Sequence, residues 1–127
     1  MSQLPSDKFI EKFSPLREVK DCEFIRAHQA VNFFDFWDAL EKDLGSECIP
    51  FWGAVWPAAK SLARFIRTQK GLLRDKTVLD FGCGSGIVSI ASAMCGASRV
   101  IANDTDPVAL YIAQKNFKAN GVNVDTE

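Results

Sequence analysis

No C-x-x-C pair occurs among the four cysteines, and the 127-residue chain holds a single histidine, His28, so the clustered ligands of a zinc site are missing and no metal is expected. Cys22, Cys48, Cys83 and Cys95 are read instead as reduced thiols of a cytoplasmic protein. Scarcity of histidine also removes the usual base for nucleophilic catalysis, and Cys83 has none near it in sequence. No run reaches the ~18 consecutive apolar residues that suggest a membrane span. The N-terminus, MSQLPSDKFIEKFS, lacks the apolar stretch of a secretion signal, while Asp7 and Glu11 are out of place in a transit peptide. Internal repeats, low-complexity tracts and linkers rich in Pro, Gly or Ser are absent as well. Nothing marks an oligomer interface.

What is present is the make-up of one soluble globular domain, 47% hydrophobic and 24% charged. Its net charge of −1 is unevenly divided: residues 1–56 carry 6 Lys/Arg against 10 Asp/Glu, and residues 57–127 carry 9 against 6. Lys60, Arg64 and Arg67 fall on one face of a helix, opposite Leu62, Phe65 and Ile66. That face reads as solvated or as a patch for an acidic partner, and it is too small for a nucleic-acid footprint.

Helical spacing of Phe33, Phe36, Trp37, Leu40 and Leu44 predicts a helix capped by Asn32 and stopped by Gly45, with the aromatics as packing residues. Residues 1–49 are therefore read as a helical N-terminal extension. From residue 50 the pattern changes. Pro57 opens a helix running to about Lys70, Thr77 to Phe81 is a strand, and Gly86 to Cys95 is a small-residue helix closed by Gly96. Arg99 to Ala102 is a second strand, Asp106-Pro107 caps a helix that stops at Asn120-Gly121, and Val122 to Val124 begins a third strand. This alternation predicts an α/β fold with a right-handed parallel sheet of three visible strands. Because Val78-Leu79-Asp80-Phe81 reads as a central strand and has partners on one side only, residues 50–127 are expected to form the N-terminal half of a larger domain.

The chemistry concentrates in Val78-Leu79-Asp80-Phe81-Gly82-Cys83-Gly84-Ser85-Gly86. A strand entering a glycine-rich turn and then a helix gathers backbone N–H groups at the sheet's carboxyl edge, where a ligand can approach bare backbone. The dinucleotide pattern G-x-G-x-x-G needs glycine at 87, where the chain has Ile87, and no Lys-Ser or Lys-Thr follows to make a P-loop. Asp104 lies 22 residues past Gly82, at the end of the adjacent strand. From there its carboxylate should overlook the turn and can accept two hydrogen bonds from a ribose diol. Asp106 is read as the helix cap.

VLDFGCGSG followed by ANDTDP closely resembles the first two motifs of class I S-adenosylmethionine-dependent methyltransferases, which have a Rossmann-like fold. FFDFWDALEKDLG, PFWGAVWPAAKSLARFI and GASRVIANDTDPVAL further resemble the electron-transfer-flavoprotein β-subunit lysine methyltransferase family and its bacterial relatives, from about Leu16 to about Asn120. The resemblance implies S-adenosylmethionine as cofactor and S-adenosylhomocysteine as product. It puts Gly82, Gly84 and Gly86, with Cys83 and Ser85 between them, along the methionine part, Asp80 near its amino group, Asp104 on the ribose and Trp56 beside the cofactor. Trp52 either lines the substrate entrance or packs in the core. A protein lysine is the implied acceptor. A small molecule or another protein residue, and a non-catalytic fragment that binds only cofactor or partner, are the alternatives. Substrate-positioning residues of such enzymes follow a fourth strand, so no catalytic residue is named.

Overall fold

The computed structural model describes residues 3–127. Helix α1 (Asp7–Phe13) starts where the Ser6 hydroxyl accepts the Phe9 N–H. An antiparallel hairpin follows, β1 (Leu16–Val19) and β2 (Cys22–His28), turned by Lys20 and Asp21 with Asp21 at φ 64°. Helix α2 (Phe33–Leu44) carries the expected caps: Asn32 accepts from the Phe34 and Asp35 amides, and Gly45 ends it at φ 64°. After a single 3-10 turn at Phe51–Gly53 come α3 (Pro57–Thr68), β3 (Thr77–Phe81), α4 (Ile87–Met94), β4 (Arg99–Asn103), α5 (Pro107–Ala119) and β5 (Asp125–Thr126).

Strands β3, β4 and β5 lie side by side and parallel, in that order, as the α/β reading required. The register pairs Phe81 with Asn103, which brings the turn after β3 level with the end of β4. Strand β3 is an edge among the described residues, with Leu79 58% and Phe81 82% exposed.

Several expectations need correction. Residues 1–49 are not wholly helical, because the hairpin separates α1 from α2. Its sequence is charged through Arg17, Glu18, Lys20, Asp21, Glu23 and Arg26, its turn has no glycine, and its buried residues, Cys22, Ile25 and Ala27, do not keep a two-residue period. On α3 the buried side chains are Ala63 and Ile66, while Leu62 and Phe65 are about half exposed, since no described segment covers that flank. The third strand begins at Asp125 rather than Val122: Val122 and Val124 pack against the core, and the ladder forms only where β4 offers Ile101 and Ala102.

Two apolar clusters hold the molecule together. One joins Val19, Ile25 and Ala27 of the hairpin to Ile66, Ile90 and Phe117; the other joins Ile10, Phe36 and Leu40 to Trp52, Val108 and Ile112. Both draw residues from either side of residue 50, and α5 serves both.

Candidate cofactor site

At the carboxyl edge of the sheet the turn Gly82–Gly86, the end of β4 and the segment around the 3-10 turn enclose a cavity of about 580 Å³. The two groups paired in the sequence reading meet directly. The Gly84 N–H donates to Asp104 Oδ2 at 2.9 Å, and Asp104 Oδ1 accepts the Asp106 N–H at 2.9 Å. Asp104 thus pins the glycine turn to the start of α5. A carboxylate offers about four acceptor positions, so lone pairs remain for an incoming diol.

The three glycines have different physical reasons. At Gly82, φ +69°, an added Cβ would meet nothing within 4 Å, so its backbone is open to the cavity. A Cβ at Gly84 would stand 3.5 Å from Trp52 Cβ. Gly86 lies outside the cavity lining, buried against α5, where a Cβ would fall 2.5 Å from Phe117 Cε1. Of the remaining expected residues, Cys83, Ser85, Asp104 and Trp56 line the cavity, whereas Asp80 does not. Trp56 forms its lip, half exposed, with Nε1 donating to the Phe51 carbonyl at 2.7 Å.

Asp80 sits beneath the turn, where Oδ2 accepts from the Ser89 N–H at 3.1 Å and the Ser89 hydroxyl at 2.7 Å. Burial pushes its carboxyl above the ordinary 3.8, outweighing those hydrogen bonds, and the Asp104 charge pushes the same way. The Cys83 thiol is driven up to about 12, first by burial and then by the Asp80 and Asp104 charges, so it stays protonated and is no nucleophile.

Raising an acid's folded pKa means that the native state binds more protons than the unfolded chain in the window above 3.8. The stabilisation is complete below 3.8 and is lost as pH rises through the folded value. Asp80→Asn keeps an acceptor for Ser89 without the buried charge. Urea unfolding should find it at least as stable as the wild type at pH 7, with the difference closing as pH falls towards 4; a variant weaker at pH 7 and equal in acid would reverse the sign.

Trp52 packs in the core, 7% exposed with its ring edge-on to Phe36 at 5.4 Å, and it also lines the cavity. Its Nε1 donates to Asp106 Oδ2 at 2.9 Å, while Asp106 Oδ1 caps α5 through the Val108 N–H. His28 is structural, with Nδ1 2.8 Å from the Ser14 carbonyl oxygen.

The sequence reading missed Asn116 and Asn120. Fully buried Asn116 donates through Nδ2 to the Ser85 carbonyl and accepts the His28 N–H, both at 2.8 Å. Asn120 accepts the Arg26 N–H at 3.0 Å and donates to the Arg26 carbonyl at 2.7 Å. One helical turn, ~5.4 Å, nearly matches a two-residue strand repeat of ~6.7 Å, so two asparagines four apart satisfy the free edge of β2. The signal was an i, i+4 amide pair on the apolar face of a helix.

Among the described residues no Lys, Arg or His lines the cavity; its carboxylates are Asp104 and Asp106, with Asp80 behind. Apolar walls from Ile49, Phe51, Val55 and Trp56 suit a flat ring, and the acidic floor suits a cation rather than a phosphate.

At 41% identity over 81 residues the chain is similar to the electron transfer flavoprotein beta subunit lysine methyltransferase of Mus musculus; the match covers 64% of this chain and 32% of that protein. The chain thus spans about a third of the length of these curated relatives. The ribosomal protein L11 methylase of Lactobacillus delbrueckii subsp. bulgaricus superposes with a TM-score of 0.51 at 28% identity, over 57% of this chain and 38% of that one. The T. thermophilus 16S rRNA N2 G1207 methyltransferase, solved with AdoMet and guanosine, shares the fold at a TM-score of 0.53 and 23% identity, over 80% of this chain and 23% of that one. The ribosomal protein L11 methyltransferase (PrmA) family model matches residues 60–127, which hold the glycine turn, Asp104 and both asparagines, and the chain belongs to that family.

Proposed function

We propose that the chain is the cofactor-binding part of an S-adenosylmethionine-dependent methyltransferase acting on a protein lysine. The observation that carries the reading is the contact of Asp104 with the Gly84 N–H at the floor of a cavity lined, among the described residues, by no cationic side chain. A dinucleotide would bring phosphates to that acidic floor, whereas a sulfonium nucleoside brings positive charge. Open backbone at Gly82, free acceptor positions on Asp104 and apolar walls fit the nucleoside and its amino-acid tail. Gly84, Cys83 and Ser85 line the path of the tail, Gly86 holds the turn in place from behind, and Asp80 acts on the amino group through its field.

When bound, the cofactor supplies an electrophilic methyl group on a sulfonium. The chain's own residues then align it: Asp104 fixes the ribose, the turn fixes the tail, and Trp56 closes the lip. A neutral amine is nucleophile enough, so the protein need generate none. The inert Cys83 thiol agrees with that. Relatives named for methylating a flavoprotein subunit and a ribosomal protein support a protein acceptor. Four free cysteines support a reducing, cytoplasmic setting. No helix among the described residues is long and apolar enough to cross a membrane.

Calorimetry with S-adenosylhomocysteine tests the site. The wild-type chain should bind it and not NAD, and Asp104→Ala should weaken binding roughly thirtyfold through loss of charge-assisted hydrogen bonds. Asp104→Asn, which can still accept from Gly84, should fall between the two. Tighter binding of NAD, or equal affinity of Asp104→Ala, would refute the assignment.

A further inference from the structure

From Phe51 and Trp56 at the cavity's lip a series of aromatic rings leads outwards to α2. Phe51 and Trp56 stand 6.5 Å apart, Trp56 and Phe33 6.2 Å, and Phe33 and Phe34 5.8 Å. Three of the four are open to solvent, Phe34 at 73%, Phe51 at 60% and Trp56 at 50%. Contiguous exposed aromatics beside a cavity are a mark of recognition rather than of folding, since burying them would have stabilised the chain.

Helix α2 extends this ridge with charge of one sign. Its sequence, FFDFWDALEKDL, holds four acids and one lysine. Asp38 and Glu41 follow Phe34 at one and two helical turns, on the exposed side opposite buried Phe36, Ala39 and Leu40. Lys42 is engaged with Asp38 at 2.9 Å in a pair that is mostly solvent-exposed and therefore easily exchanged. Glu41 forms no salt bridge among the described residues. From cavity to helix, then, ring faces that attract cations lead to carboxylates that attract them further, with Lys42 as the one cation on α2.

Resting on the reading of the cavity as the methyl-donor site, we infer that this ridge and the acidic face of α2 dock a basic, lysine-bearing segment of the acceptor protein. A lysine presented at the Trp56 lip lies at the cavity, while basic neighbours along the same extended segment, ~3.4 Å per residue, reach Phe34 and then Glu41. The same charges repel an RNA backbone, so the surface selects protein over RNA. Apolar ring faces hold the methylene stems of lysine as well as its charge.

The test uses the whole chain and a labelled ten-residue peptide of alternating lysine and alanine, read by fluorescence anisotropy at low salt. A glutamate–alanine peptide and an oligouridylate serve as competitors. Binding of the lysine peptide should weaken as salt rises. Phe34→Ser should weaken it about two- to fivefold, the value of one exposed cation–π contact, and Glu41→Lys about tenfold by charge reversal. Neither residue lines the cavity, so S-adenosylhomocysteine affinity should stay unchanged in both variants. No binding of the lysine peptide, equal affinity in both variants, or displacement by the glutamate peptide or oligouridylate would overturn the docking surface. Should S-adenosylhomocysteine fail to bind while the peptide still follows the charge at 41, the donor site is wrong and the docking surface stands.

Discussion

Gly86→Ala should destabilise the chain by about 4 kcal/mol, the sum of a left-handed backbone penalty and overpacking. The residue sits at φ +85°, and the added methyl would lie 2.5 Å and 2.8 Å from two ring atoms of Phe117 and 3.4 Å from Ala113 Cβ. Phe117 is 4% exposed and Ala113 fully buried, so neither can swing into solvent. Gly82→Ala is the control. It carries the same sign of φ, +69°, with nothing within 4 Å of the methyl, and should cost only the backbone share, about 1–2 kcal/mol. Urea unfolding of the two variants, with Phe117→Leu added to Gly86→Ala, separates the contributions. The double variant should recover more than 1 kcal/mol relative to additivity, because the two sites touch. Equal losses at Gly82 and Gly86, or strict additivity with Phe117→Leu, would sink the steric explanation.

Glycines that look alike in G-x-G-x-G therefore divide between opening the cavity and letting the turn close against Phe117 and Ala113 of α5. That division was not legible in the sequence, because it depends on Phe117, which is 31 residues away. Features with local chemistry were legible. Asn32 and Gly45 bound α2, Asp106-Pro107 opens α5, and the β3 and β4 runs fall where apolar β-branched residues put them. From those pieces the meeting of Asp104 with the glycine turn followed, since parallel neighbours align their carboxyl ends. Illegible features depend on partners distant in sequence. The hairpin's outer edge is satisfied by α5 side chains, across sequence separations of 88 and 94 residues. Strand β5 is placed by the β4 ladder, which takes polar Asp125 and Thr126 while leaving Val122 and Val124 to the core.

Asn116→Ala should cost about 3 kcal/mol, from two buried groups left without partners. Its amide hydrogen-bonds β2 to the glycine turn, taking the His28 N–H on one side and giving to the Ser85 carbonyl on the other. Ser85 lines the cavity, so the loss should be felt there too, as weaker S-adenosylhomocysteine binding under conditions where the variant is still folded. Asn116→Asp should be worse than alanine: it keeps an acceptor for His28 but faces the Ser85 carbonyl with a buried carboxylate. Asn120→Ala, at a more open position, should cost about 1 kcal/mol. Hydrogen exchange distinguishes these local effects from general loosening. The His28 amide should lose protection in Asn116→Ala and the Arg26 amide in Asn120→Ala, each ahead of the β4 amides. If the His28 amide exchanges at its wild-type rate in Asn116→Ala, the link between hairpin and turn is not carried by this side chain. If protection falls only at His28 and ligand affinity does not change, the asparagine anchors the hairpin without tuning the cavity.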